Sequence, residues 1–124
     1  MKLAKATILI TILSVAPAAA QSTDAYQTNR VLPGCRELIR NGPREFETQE
    51  GFCLGVVSTL LTLGKPGFTR NFPASYRYCI PNGVVTGQAL NVALAYIEAR
   101  PARWHETLML LTMEAFTQAW PCRE

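Results

Sequence analysis

His105 is the single histidine of this 124-residue chain, and Asp24, close to the N-terminus, is its single aspartate. Acid–base or metal chemistry built on clustered imidazoles and carboxylates therefore has little to draw on. His105 with Glu106 and Glu98 is the one combination to weigh, and a helical reading sets His105 and Glu106 about 100° apart. No C-x-x-C pair occurs, which removes the usual signature of a dithiol redox centre or a zinc ribbon. No glycine-rich loop follows a strand pattern, so phosphate cradling has no motif. With all cysteines paired, a thiolate nucleophile is missing too. The expectation is a protein with no catalytic site, no metal and no cofactor.

Long hydrophobic runs are confined to the start of the chain. Lys2 and Lys5 precede the uncharged segment Ala6 to Val15, and Ala18-Ala19-Ala20 supplies the small residues that a signal peptidase reads. Residues 1–20 thus read as a cleavable signal peptide, leaving one domain, residues 21–124, in the periplasm of a Gram-negative cell. The apolar run is shorter than the roughly 20 residues that a membrane span needs. No cysteine follows the cleavage point to carry a lipid. Loss of Lys2 and Lys5 leaves 10 basic against 9 acidic residues, a net charge of +1. Such a balance gives no reason to expect nucleic acid as a partner.

Four cysteines remain, Cys35, Cys53, Cys79 and Cys122, an even number that reads as two disulfides in an exported small domain. Three connectivities are open until the helices are placed. The first helix is expected from Asn29 to Arg40, with Val31, Leu32, Cys35, Leu38 and Ile39 at helical spacing and an uncertain first turn at Pro33-Gly34. Asn41-Gly42-Pro43 breaks it, Gly42 being free to take positive φ. A second helix from Arg44 to Leu63 gathers Phe46, Cys53, Val57, Leu60 and Leu61 on one face. Gly51 and Gly55, four apart, leave room for another backbone. Thr86 suits the N-cap of a third helix that ends at Ala99 or Arg100 before Pro101. A fourth is expected from Ala102 to Ala119.

A very short turn between the third and fourth helices makes them an antiparallel pair, with the fourth the longer, so that Cys122 reaches Cys79. The same logic joins the first two helices around Asn41-Gly42-Pro43 and sets Cys35 against Cys53. The expected fold is therefore all-α, a small four-helix domain of two antiparallel hairpins stapled by two disulfides. The chain-entropy model assigns about 3 kcal/mol to the smaller loop and about 4 kcal/mol to the larger.

Two features suggest binding. The Gly/Pro-rich connection from Gly64 to Val85 has no sustained period, an uncommon length for a compact domain. Its Phe68, Arg70, Phe72, Tyr76 and Arg77, with Tyr78 and Lys65 beside them, either tuck under the loop as a satellite core or form a contact surface. On the fourth helix, Trp104, Leu108, Leu111, Ala115 and Ala119 make one stripe, and Met109, Met113, Phe116 and Trp120 a second. Together they cover roughly 200° of arc, wider than a surface helix needs. The helix is either central to the core or lends its Met/aromatic stripe to self-association as a homodimer.

Scattered positions over residues 35–122, most of them between Tyr78 and Cys122, resemble the Rap/Tai family of immunity proteins. The likeness is carried by Cys79 and Pro81, Gly83-Val84, Gln88, Tyr96-Ile97, Pro101, His105 and Ala119-Trp120-Pro121-Cys122, with Gly51-x-Cys53-x-Gly55 upstream. Val57 departs from the aromatic usual near the glycine helix, and Trp104 from an aliphatic. The resemblance implies a small, exported helical protein that neutralises a peptidoglycan amidase effector of type VI secretion by blocking its cleft. No family contact residue transfers to a position of this chain. The rival readings are an acid-stress chaperone of the periplasm and an accessory protein with a different partner.

Overall fold

A computed structural model describes residues 26–42, 48–65 and 67–123. The expected signal peptide, Asp24, Arg44 and Phe46 lie outside the described residues. Four helices form: α1 (Thr28–Asn41), α2 (Thr48–Leu63), α3 (Thr86–Glu98) and α4 (Leu108–Ala119). No strand forms among the described residues, and none of their helices is long and apolar enough to cross a membrane. The domain is all-α, and its disulfides are Cys35–Cys53 and Cys79–Cys122.

The α1/α2 hairpin follows from helical spacing. Val31, Leu32, Cys35 and Leu38 are buried on α1 and face Cys53, Val56, Val57 and Leu60 of α2. Gly42 ends α1 at φ 69°, its N–H donating to the Leu38 carbonyl at 3.0 Å. The expected close approach at the α2 glycines does not occur at Gly55, which is exposed and has open space where a methyl group would stand. A close approach of backbones does occur at Gly34. A Cβ there would lie 2.7 Å from Gln49 C and 2.7 Å from Glu50 N, so α1 meets the first turn of α2 backbone to backbone. Pro33 sits exposed within α1, and the helix continues through it at the loss of one backbone hydrogen bond. Glu50, in the first turn of α2, is buried where the positive end of the helix suits a carboxylate.

The second hairpin departs from expectation in three ways. Thr86 is the first residue of α3 rather than its cap; Val85 holds the N-cap position and makes no side-chain bond. Pro101 starts a 3-10 turn, Pro101–Arg103, and α4 begins only at Leu108, where Thr107 accepts a hydrogen bond from the Leu110 N–H. Trp104, His105 and Glu106 therefore belong to a connecting segment, and α4 (12 residues) is shorter than α3 (13 residues). This segment caps α1. The Thr28 N–H and hydroxyl each donate to the Glu106 carbonyl at 2.9 Å, and the Asn29 N–H donates to the Trp104 carbonyl at 2.9 Å. Two of the orphan donors at the start of α1 are satisfied by a turn far away in sequence. The indole N–H of Trp104 in turn donates to the Ile97 carbonyl at 2.9 Å, closing the connection onto α3.

The pairing of Cys79 with Cys122 has a cause that helix lengths do not supply. Residues 78–79 run beside residues 120–121, with the Cys79 N–H donating to the Trp120 carbonyl at 2.8 Å. This alignment brings the two Cα atoms to 4.8 Å, within ordinary disulfide range.

The two glycines of the first hairpin separate packing from propensity. Gly34→Ala must push two helix backbones apart and is expected to cost about 1–3 kcal/mol of stability. Gly55→Ala, in open space on a helix, is expected to be neutral or to add up to about 1 kcal/mol. Chemical denaturation of the two variants checks this; equal effects would mean that Gly34 is not the contact point.

Candidate functional site

Gly64 closes α2, and its carbonyl accepts the Ile80 N–H at 2.9 Å. The chain between them is thus an Ω-type loop with adjacent ends. Gly64 is obligatory at this base, because a Cβ would lie 2.5 Å from Tyr78 Cε2 and 2.7 Å from Ile80 Cδ1. Two 3-10 turns, Thr69–Asn71 and Ala74–Tyr76, replace the structureless connection that the sequence suggests.

Tyr78 fastens the loop from within. Its ring is fully buried, edge-on to Phe116 at a centroid separation of 5.5 Å. Its hydroxyl donates to the Leu60 carbonyl at 2.9 Å, and its own carbonyl accepts from the buried Thr69 hydroxyl. Burial pushes the phenol's pKa up to about 12, so it remains a neutral donor at any physiological pH. Inside the loop, the Arg77 guanidinium donates to the Phe72 carbonyl at 3.2 Å.

The five loop residues singled out by sequence differ in exposure. Phe68 is 65% exposed and Arg70 is exposed, on either side of buried Thr69. Phe72, Tyr76 and Arg77 are half-buried, and the Arg77 guanidinium braces the loop on the Phe72 carbonyl. Lys65 adds an exposed positive charge at its entry. The second candidate, the Met/aromatic stripe, varies in exposure along its length. Phe116 is fully buried between Tyr78 and Trp120, Met109 is 48% exposed, and Met113 and Trp120 are half-buried. An open groove of about 610 Å³ between α1 and α3, lined by Arg36, Ile39, Arg40, Asn91, Leu94 and Glu98 among others, is not foreshadowed by the sequence. Exposed Ile39 and the 2.7 Å Arg36–Glu98 ion pair mark its rim, and only a three-dimensional view places those helices side by side.

The remaining polar cluster surrounds Arg103. Its guanidinium donates twice to Glu106, at 2.7 Å each, and to both Glu114 oxygens, at 2.6 and 3.0 Å. The Tyr96 hydroxyl donates to Glu114 at 2.9 Å, and Arg100 stacks over the Tyr96 ring at 3.6 Å. Hydrogen bonds from Arg103 hold the carboxyls of Glu106 and Glu114 below the usual range, while those carboxylates raise the guanidinium's pKa. Burial of Tyr96, and then its bond to Glu114, raise the phenol's pKa. Each carboxylate is thereby engaged by Arg103, forming a clamp on the α3–α4 connection. His105 is exposed beside this cluster, its Nδ1 lying 3.1 Å from the Ala102 carbonyl oxygen. No group of three or more potential metal ligands exists among the described residues.

Because Glu106 and Glu114 titrate lower in the folded chain, the clamp stabilises above the ordinary carboxyl value of 4.5 and is lost as pH falls below it. Thermal midpoints measured from neutral to strongly acid pH should stay level and then fall. The Glu106→Gln/Glu114→Gln variant should start lower and show a shallower acid-side fall; a fall as steep as that of the parent chain would assign acid sensitivity elsewhere.

The family model of the Rap1a immunity proteins matches residues 27–122. No curated protein and no solved structure matches the chain. The matched span takes in all four helices, both disulfides and the whole Ω loop. The chain belongs to the family of Rap1a immunity proteins.

Proposed function

We propose that this immunity protein binds a peptidoglycan amidase effector of type VI secretion in the periplasm and occludes its substrate cleft with the Ω loop. Family membership supports a secreted effector as partner. The observation that favours the loop is the combination of an exposed aromatic tip with a buried base. Phe68 is 65% exposed, whereas Tyr78 is fully buried and hydrogen-bonded across the core. A loop held in this way loses little conformational freedom on docking, so more of its contact energy appears as affinity. Inhibition then needs no chemistry from the inhibitor. The α-helical body, stapled at Cys35–Cys53 and Cys79–Cys122, serves as a rigid support, and the amidase loses access to peptidoglycan peptide.

The test is protection of cells. An amidase encoded beside this chain's gene, exported alone, should lyse the cell, and co-export of this chain should prevent lysis. Lysis that continues despite soluble co-exported chain would sink the reading. In binding assays with that amidase, Phe72→Ala/Arg77→Ala should weaken the complex about tenfold or more, by removing the supports of the loop. Unchanged affinity would remove the loop from the interface.

A further inference from the structure

The charges of this chain are segregated. From Gly51 to Ile97 there is no aspartate or glutamate, and the basic residues of that stretch, Lys65, Arg70 and Arg77, all lie in the Ω loop. The carboxylates described elsewhere are already engaged or enclosed. Glu37 pairs with Arg40 at 3.1 Å and Glu98 with Arg36 at 2.7 Å. Glu106 and Glu114 hold Arg103, and Glu50 is buried in the first turn of α2. The loop thus has no acidic residue of its own, and Lys65 and Arg70 stand exposed on it.

Its apolar element is equally directed. Thr69 is drawn inward by its bond to the Tyr78 carbonyl, and the residues on either side, Phe68 and Arg70, are left outside. Gly67, at φ 114°, turns the chain into this tip with a backbone that other residues rarely adopt. The result is an exposed phenyl ring among cations on a fastened loop. Such a surface pairs poorly with a basic or neutral partner and well with an apolar socket rimmed by carboxylates.

We infer that the loop docks on an acidic protein surface of the effector, with Phe68 entering an apolar socket and Lys65 and Arg70 meeting carboxylates on its rim. The inference rests on the reading of the loop as the effector-facing surface. A protein partner is favoured over nucleic acid or anionic lipid because the positive charge is sparse. Polyanion binding draws on many simultaneous phosphate contacts, whereas a few well-placed rim charges are enough to steer a protein encounter.

The experiment uses the disulfide-bonded chain and the neighbouring amidase with its nucleophile replaced, titrated at roughly 50 and roughly 300 mM salt. Parent affinity should drop about tenfold or more across that range. Lys65→Glu and Arg70→Glu should each weaken low-salt binding about tenfold, mainly through slower association, and flatten the salt effect. Phe68→Ala should weaken binding about as much while leaving the salt effect intact. Unaltered thermal midpoints confirm that these exposed positions do not unfold the chain. If both charge reversals bind like the parent while Phe68→Ala weakens, the acidic-surface inference falls and the loop reading stands. If all three bind like the parent, both fall. An amidase that the parent chain does not bind at all overturns the proposed function with them. Charge reversals that abolish binding to phosphatidylglycerol vesicles but not to the amidase would assign the loop to lipid and overturn the inference.

Discussion

The hydroxyl of Tyr78 reaches across the core to the Leu60 carbonyl, and this bond decides where the rest of the chain can go. Leu60 stands near the end of α2, and its carbonyl also accepts the Gly64 N–H, so one acceptor ends the helix and receives the phenol. With the ring fixed there, Phe116 must lie against its edge, which sets the depth of α4. Residue 79 then runs beside residue 120, and the Cys79–Cys122 disulfide forms across that short contact. The Ω loop leaves and returns at the same place. Its base is core and its tip is solvent, a division enforced by Gly64, whose missing Cβ makes space for Tyr78 and Ile80.

A second constraint joins the two hairpins where the α3–α4 connection meets the start of α1. The connection from α3 to α4 is built around Arg103, whose planar guanidinium is held bidentately by two carboxylates. That arrangement fixes the turn whose Trp104 and Glu106 carbonyls receive the first N–H groups of α1. The described acidic side chains are therefore concentrated in maintaining the body, and the exposed loop is left with cations and aromatics. Charge segregation of this kind favours encounter with an acidic partner surface at little cost to the fold.

Much of this architecture could be read from the sequence, and the departures have physical causes. The extents of α1 and α3 and the end of α2 follow from apolar spacing and from Gly42 and Pro101, which local rules treat well. The start of α4 is misplaced because Trp104 and Leu108 stand at helical spacing, although the indole is turned back to the Ile97 carbonyl. Thr107, the side chain that caps α4, looks in a helical wheel like one more polar residue. Both disulfides are read correctly, yet Cys79–Cys122 depends on the contact between residues 78–79 and 120–121 and not on a long α4. Tyr78 shows the limit most clearly. In the sequence it is one aromatic among four in a breaker-rich segment, and its burial depends on Leu60 and Phe116, neither of them nearby in the chain. The α1–α3 groove is invisible for the same reason.

A loop fastened through Tyr78 is the proposed effector-facing surface of this Rap1a immunity protein. Amide hydrogen exchange, compared for the free chain and its complex with the proposed amidase effector, tests this most directly. Slow exchange is expected in both states at Cys79 and Ile80, whose N–H groups donate to the Trp120 and Gly64 carbonyls, and new protection on binding should be confined to the loop between Lys65 and Arg77. Protection that instead appears along α1 and α3, around Ile39 and Leu94, with the loop unchanged, would contradict it and move the interface to the groove.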